Sequence, residues 1–166
     1  MVEAHEDFII KMLDEILLPQ DYLMLEFGVS ENQKIRLDTL SRFIKIFSKY
    51  PNTLIGKWSA ARLGLESYKD YLETITSDKT NNQSVSSVQA ELLMKSIAYL
   101  ENARKLPDAI PVREEVLYKL GRIESLKGNQ KNAKAIFQEL SNKYPFGKYG
   151  RIISKEHISL LQNSTK

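Results

Sequence analysis

The chain contains no cysteine. Disulfides, thiolate zinc sites and cysteine nucleophiles are thereby excluded, although the compartment is left open. Seven glycines and five prolines among 166 residues are few, so regular structure is interrupted at only a handful of points. Short alternating runs rich in Val and Thr are missing, which removes the signal for strands. No long hydrophobic run occurs either. The most apolar stretch, Phe8 to Phe27, is broken by Lys11, Asp14, Glu15, Gln20, Asp21 and Glu26, whereas a membrane-spanning helix needs about 20 mostly apolar residues. The opening MVEAHEDF carries no basic leader followed by an apolar segment. Charge of one sign is scarce too. The net charge is +3, and Lys131, Lys134, Lys143, Lys148, Arg151 and Lys155 form a loose scatter that reads as solvated helix faces. Nucleic acid is therefore not an expected partner.

Catalytic chemistry leaves no trace. His5 and His157 lack any metal-binding spacing, and no nucleophile elbow or glycine-rich phosphate loop frames a site. The adjacent acids Asp14-Glu15 and Glu114-Glu115 read as solvated groups or partners of helix dipoles. No catalytic residue, metal ligand or cofactor is expected.

What the chain does have is helical periodicity throughout. Phe8, Ile9, Met12, Leu13, Ile16 and Leu17 share one helix face. Pro19 starts a short second segment that Gly28 closes, and Ser30-Glu31 opens the next helix. That helix runs to Lys49 with Ile35, Leu37, Leu40, Phe43, Ile44 and Phe47 as its predicted buried face. Tyr50-Pro51 ends it, and Asn52 or Thr53 caps a helix reaching about Leu72. Residues 74–87 are polar and predict a long loop. Further helices are predicted over about Val88–Leu106, Val112–Leu126 and Gln130–Asn142, with Lys127-Gly128-Asn129 as a tight turn. A last helix is predicted over Gly147–Leu161.

An internal repeat underlies this order. Phe43 to Pro51 aligns with Phe137 to Pro145, Lys-Tyr-Pro recurs, and Gly56 matches Gly150. Leu117, Leu120, Gly121, Gly128, Ala133, Phe137 and Pro145 stand at the spacings of the tetratricopeptide helix–turn–helix pattern, which this part of the chain resembles. Glu124 departs from it, since the family prefers an aromatic there. Leu63-Gly64 with Ser96, Leu100 and Ala103 resembles a degenerate middle unit with an insertion. The resemblance implies an all-α superhelix of about three antiparallel hairpins in one domain, 1–166. Residues 1–29 and 147–166 would act as helical caps around repeats at 30–146.

Tyr50-Pro51-Asn52-Thr53 followed by Ala60, Ala61, Leu63 and Gly64 is similar to units of bacterial envelope tetratricopeptide scaffolds. This implies a protein-binding scaffold in a bacterial envelope, periplasmic and tethered by a segment absent from this sequence. The partner would be an envelope or membrane protein, with no direct membrane contact by this segment. The alternative is a cytoplasmic adaptor or regulator. In the family, the first helix of each hairpin lines a concave groove. Trp58, Arg62, Leu65, Tyr68 and Lys69, continued by Tyr118 and Arg122, would form it here. Trp58 has a second reading, as a core residue. The chaperone-tail clamp of some relatives is not expected, because Ala61, Leu65, Tyr118 and Arg122 occupy its places. The N-terminal amphipathic helix has two readings as well. It caps the stack against the following helices, or it offers its face to a partner or a second copy.

Overall fold

The computed structural model describes residues 19–78 and 87–154, and among these every regular element is an α-helix. The helices predicted upstream of Pro19 and beyond residue 154 lie outside the described residues. The chain divides into two compact units, Met1–Asn102 and Ala103–Lys166.

In the first unit, α1 (Pro19–Phe27) is followed by α2 (Gln33–Lys49), α3 (Leu54–Asp78) and α4 (Ser87–Ala103). Gly28, at φ 106°, ends α1, with its N–H bonded to the Met24 carbonyl at 3.1 Å. The start of α2 lies slightly later than expected. Asn32 is its cap, accepting from the Ile35 N–H at 3.3 Å, while Ser30 accepts from the Asn32 N–H.

The buried face of α2 also differs from its hydrophobic pattern. Phe43 is buried as expected, with Leu40 and Phe47 packed beside it, but Thr39 and Ile46 are also inside. Ile35, Leu37 and Ile44 are exposed. The cause is a polar clamp that apolar spacing cannot register. Asp21 of α1 is fully buried and takes a bidentate pair from Arg42 at 2.5 and 2.7 Å. Thr39 donates to the same carboxylate at 3.2 Å. A buried carboxylate is tolerated only when paired in this way, and the clamp rolls α2 so that Thr39 faces α1.

Helices α2 and α3 run antiparallel. Arg36 bridges to Glu66 and Asp70 at 3.0 and 2.6 Å, and Leu25, Phe43, Ile46 and Leu63 form the core. Thr53, one of the two expected caps, accepts from the Gly56 N–H at 3.1 Å. At its other end α3 runs to Asp78, through the start of the predicted 74–87 loop. Thr74 and Thr76 bond back to the Tyr71 and Glu73 carbonyls at 2.7 and 2.9 Å, which accommodates their hydroxyls within the helix. Helix α4 meets α3 at a glycine. A Cβ on Gly64 would stand 2.7 Å from Leu100, and Ser96 donates to the Gly64 carbonyl at 2.9 Å. Gly64, Ser96 and Leu100 thus meet at one point between the two helices.

In the second unit, α5 (Val112–Leu126) and α6 (Gln130–Lys143) form an antiparallel hairpin, and residues 148–154 are helical. The preceding helix stops at Ala103 rather than Leu106, because Leu106 turns inward and bonds to the Ala103 carbonyl. Buried Arg113 anchors the connection. It bonds to the Arg104 carbonyl at 3.0 Å, to Glu139 at 2.9 Å, and to Asp108. Gly128 makes the tight turn at φ 77°. At the seam, a Cβ on Gly121 would run into the Phe137 ring, so the aromatic lies directly on the glycine. Ala133, Ile136 and Leu140 of α6 are buried, as are Val116, Leu117 and Leu120 of α5.

Candidate protein-binding faces

The residues expected to line a groove fall into three environments. Trp58 and Arg62 converge on one oxygen. The Trp58 indole N–H donates to the Leu25 carbonyl at 2.8 Å, and the Arg62 Nε donates to the same atom. Leu25 sits in the last turn of α1, where carbonyls have no partner inside the helix. The two side chains satisfy it from α3 as hydrogen-bond donors, one neutral and one cationic. Arg62 is only 7% exposed, and Trp58 packs against the core. Of the two readings of Trp58, the core reading fits its surroundings. Tyr68 is buried as well, tilted against Tyr71 with ring centroids 6.1 Å apart. These three side chains belong to the frame of the first unit.

Leu65, one turn before Lys69 on α3, is half-buried, and Lys69 is exposed. In the second unit, Arg122 is exposed and Tyr118 half-buried. Tyr118 stacks on Tyr149, with centroids 4.7 Å apart and planes at 24°. Lys119 lies 5.6 Å from the Tyr118 ring and Lys148 lies 5.0 Å from the Tyr149 ring, within the range of cation–π attraction. Burial, then the neighbouring Glu115 carboxylate, pushes the Tyr149 hydroxyl above its ordinary titration range. It remains a protonated donor at any physiological pH.

Sequence reasoning missed Tyr149 and the group that fixes it. Glu114 of α5 accepts from the backbone N–H of Tyr149 at 2.6 Å and of Gly150 at 3.1 Å. It caps the terminal helical segment from another helix. The repeat held a signal for this, because Gly147 stands where Thr53 caps α3, and glycine has no capping oxygen.

Residues 115–146 match the family model of the tetratricopeptide repeat. The match covers most of α5, all of α6 and the Tyr-Pro corner after it. The repeat therefore carries Tyr118 and Arg122 on its first helix, and the fold is all-α and tetratricopeptide-like. Tetratricopeptide repeats generally mediate protein–protein interaction. No curated protein and no solved structure matches the chain. Among the described residues, no helix is long and apolar enough to cross a membrane. No group of three His, Cys, Asp or Glu side chains there could hold a metal ion.

Proposed function

We propose that this chain is a non-enzymatic scaffold or adaptor that binds another protein, and that it works in a bacterial cell-envelope complex. The observation that carries the binding reading is the tetratricopeptide repeat at 115–146, with Tyr118 and Arg122 on its first helix. Leu65 and Lys69 offer a second contact face on α3. Aromatic and arginine side chains are the types that most often dominate binding energy. Trp58, Arg62 and Tyr68 support these faces from within. The envelope reading draws on Tyr50-Pro51-Asn52-Thr53 and the Ala60, Ala61, Leu63, Gly64 run after it.

The test begins with affinity capture of the partner from native cells, followed by calorimetry. Tyr118→Ala with Arg122→Ala should weaken binding about a hundredfold, since anchors are worth roughly 2 kcal/mol or more and 1.4 kcal/mol is tenfold. Unchanged affinity, with loss instead on changing Ile9 and Leu13, would move the site to the N-terminal segment. Fractionation of native cells tests the location. Recovery with the cytosol would leave a cytoplasmic adaptor in place of an envelope scaffold.

A further inference from the structure

The two units carry opposite charge. Met1–Asn102 holds 11 Lys and Arg against 15 Asp and Glu, a net of −4. Ala103–Lys166 holds 13 against 6, a net of +7. The whole-chain value of +3 hides this division.

The described acids of the second unit are held by contacts within it. Each of the five acidic residues among its described residues is engaged inside the unit. Asp108 pairs with Arg113 and Lys143, and Glu139 pairs with Arg104 and Arg113. Glu124 holds Lys127, Asn129 and Asn132. Glu114 caps residues 149–150, and Glu115 bonds to Tyr149. With 13 basic against 6 acidic residues, the field over this unit is positive. On one side of it, Tyr118 and Lys119 of α5 stand with Lys148 and Tyr149, joined by the tyrosine stack, and exposed Arg122 follows Tyr118 by one helical turn.

We propose that this basic, tyrosine-stacked face binds an acidic polypeptide segment of the partner protein. The inference rests on the protein-binding reading above and adds the chemistry of what is bound. Charge complementarity identifies the ligand as anionic. The rings favour polypeptide over nucleic acid. Single strands are held by bases stacking on open aromatic faces, whereas Tyr118 and Tyr149 stack on each other and each has a lysine beside its ring. Carboxylates can instead accept from Arg122, Lys119 and Lys148 while the paired rings supply apolar contact at the centre.

The test uses the full chain and a fluorescein-labelled twelve-residue peptide of alternating Glu and Ala, its Gln counterpart, and a single-stranded DNA 12-mer, titrated by anisotropy. The Glu peptide should bind and the Gln peptide should not. Arg122→Glu with Lys148→Glu, at two exposed positions, should weaken the Glu peptide at least tenfold in protein whose helical circular-dichroism spectrum matches the wild type. Lys131→Glu with Lys134→Glu on α6 should change it less than threefold. Equal loss in the two double variants, equal binding of the Gln peptide, or tighter binding of the DNA would each overturn the proposal. A photo-crosslinking residue at position 122 separates it from the reading beneath it. Crosslinks to an acidic stretch of the captured partner support both. Crosslinks to a neutral or basic stretch overturn the acidic inference alone. Absence of crosslinks at 122, with efficient ones from position 9 or 13, overturns both.

Discussion

The chain turns the same corner twice and finishes it differently each time. After α2 and after α6 the backbone leaves the helix through Tyr-Pro with nearly identical angles, φ −133° and ψ 50° at Tyr50 against φ −129° and ψ 54° at Tyr144. The tyrosine N–H bonds to the Ile46 carbonyl at 2.8 Å in one and to the Leu140 carbonyl at 2.9 Å in the other. A glycine follows at the same step, and a Cβ on Gly56 or Gly150 would overlap the tyrosine carbonyl oxygen. The next helix then needs a cap. Thr53 supplies one from its own chain position at the first corner. Gly147 cannot, and Glu114 reaches across from α5. The backbone path is therefore specified by proline and glycine, while the capping oxygen is interchangeable between near and distant sources.

The largest expected effect tests the shared part. Gly56→Ala and Gly150→Ala should each cost about 3 kcal/mol, the upper end for forcing atoms into a filled space, with the opposing group being backbone that cannot rotate away. Hydrogen exchange should localise each loss to its own corner. Wild-type exchange in either variant would mean that the two corners are not equivalent. Next come the seams. Gly64→Leu and Gly121→Leu should each cost about 1–3 kcal/mol by overpacking, read as a lower melting temperature.

The caps distinguish the two corners. Thr53→Ala and Glu114→Ala should each cost about 1 kcal/mol. The informative change is Gly147→Thr, whose Cβ would collide with the Glu114 carboxylate. It should destabilise the wild type yet recover about 1 kcal/mol in the Glu114→Ala background, a coupling of opposite sign measured by a double-mutant cycle. Additive costs would show that the two groups do not share one capping position.

The smallest effect is a pH dependence. Lys143, with Arg113 beside it, holds Asp108 below the usual aspartate range. Lys127, with Asn132 and Asn129, does the same for Glu124. A carboxylate with a depressed folded-state pKa adds stability above its unfolded value, which disappears as the pH falls through the folded one. The second unit should thus lose a little melting temperature below about pH 4. Asp108→Asn with Glu124→Gln should flatten that slope, as seen by thermal unfolding between pH 7 and 3.

Helix type and most boundaries were legible in the sequence because proline, glycine and capping residues act locally. Tyr50-Pro51, Gly28, Thr53 and the Lys127-Gly128-Asn129 turn all lie where their conformational preferences put them. The small-residue contacts at Gly64 and Gly121 were legible through the resemblance to the tetratricopeptide pattern. What escaped was set by polar partners distant in sequence. Asp21 rolled α2 and left Leu37 and Ile44 exposed, the Leu25 carbonyl recruited Trp58 and Arg62, and Glu114 capped the terminal segment. No periodicity announces such pairs, because their energy comes from satisfying individual buried or orphaned polar groups.

The bond from Trp58 to the Leu25 carbonyl has an optical consequence. Trp58 is the chain's single tryptophan, so the intrinsic emission of the protein reports on whether α1 is seated against α3. A ligand that pries α1 away should wet the indole and shift its emission to longer wavelength. One that settles on α5 should leave the spectrum where it was, which makes unlabelled protein its own gauge of where a partner lands.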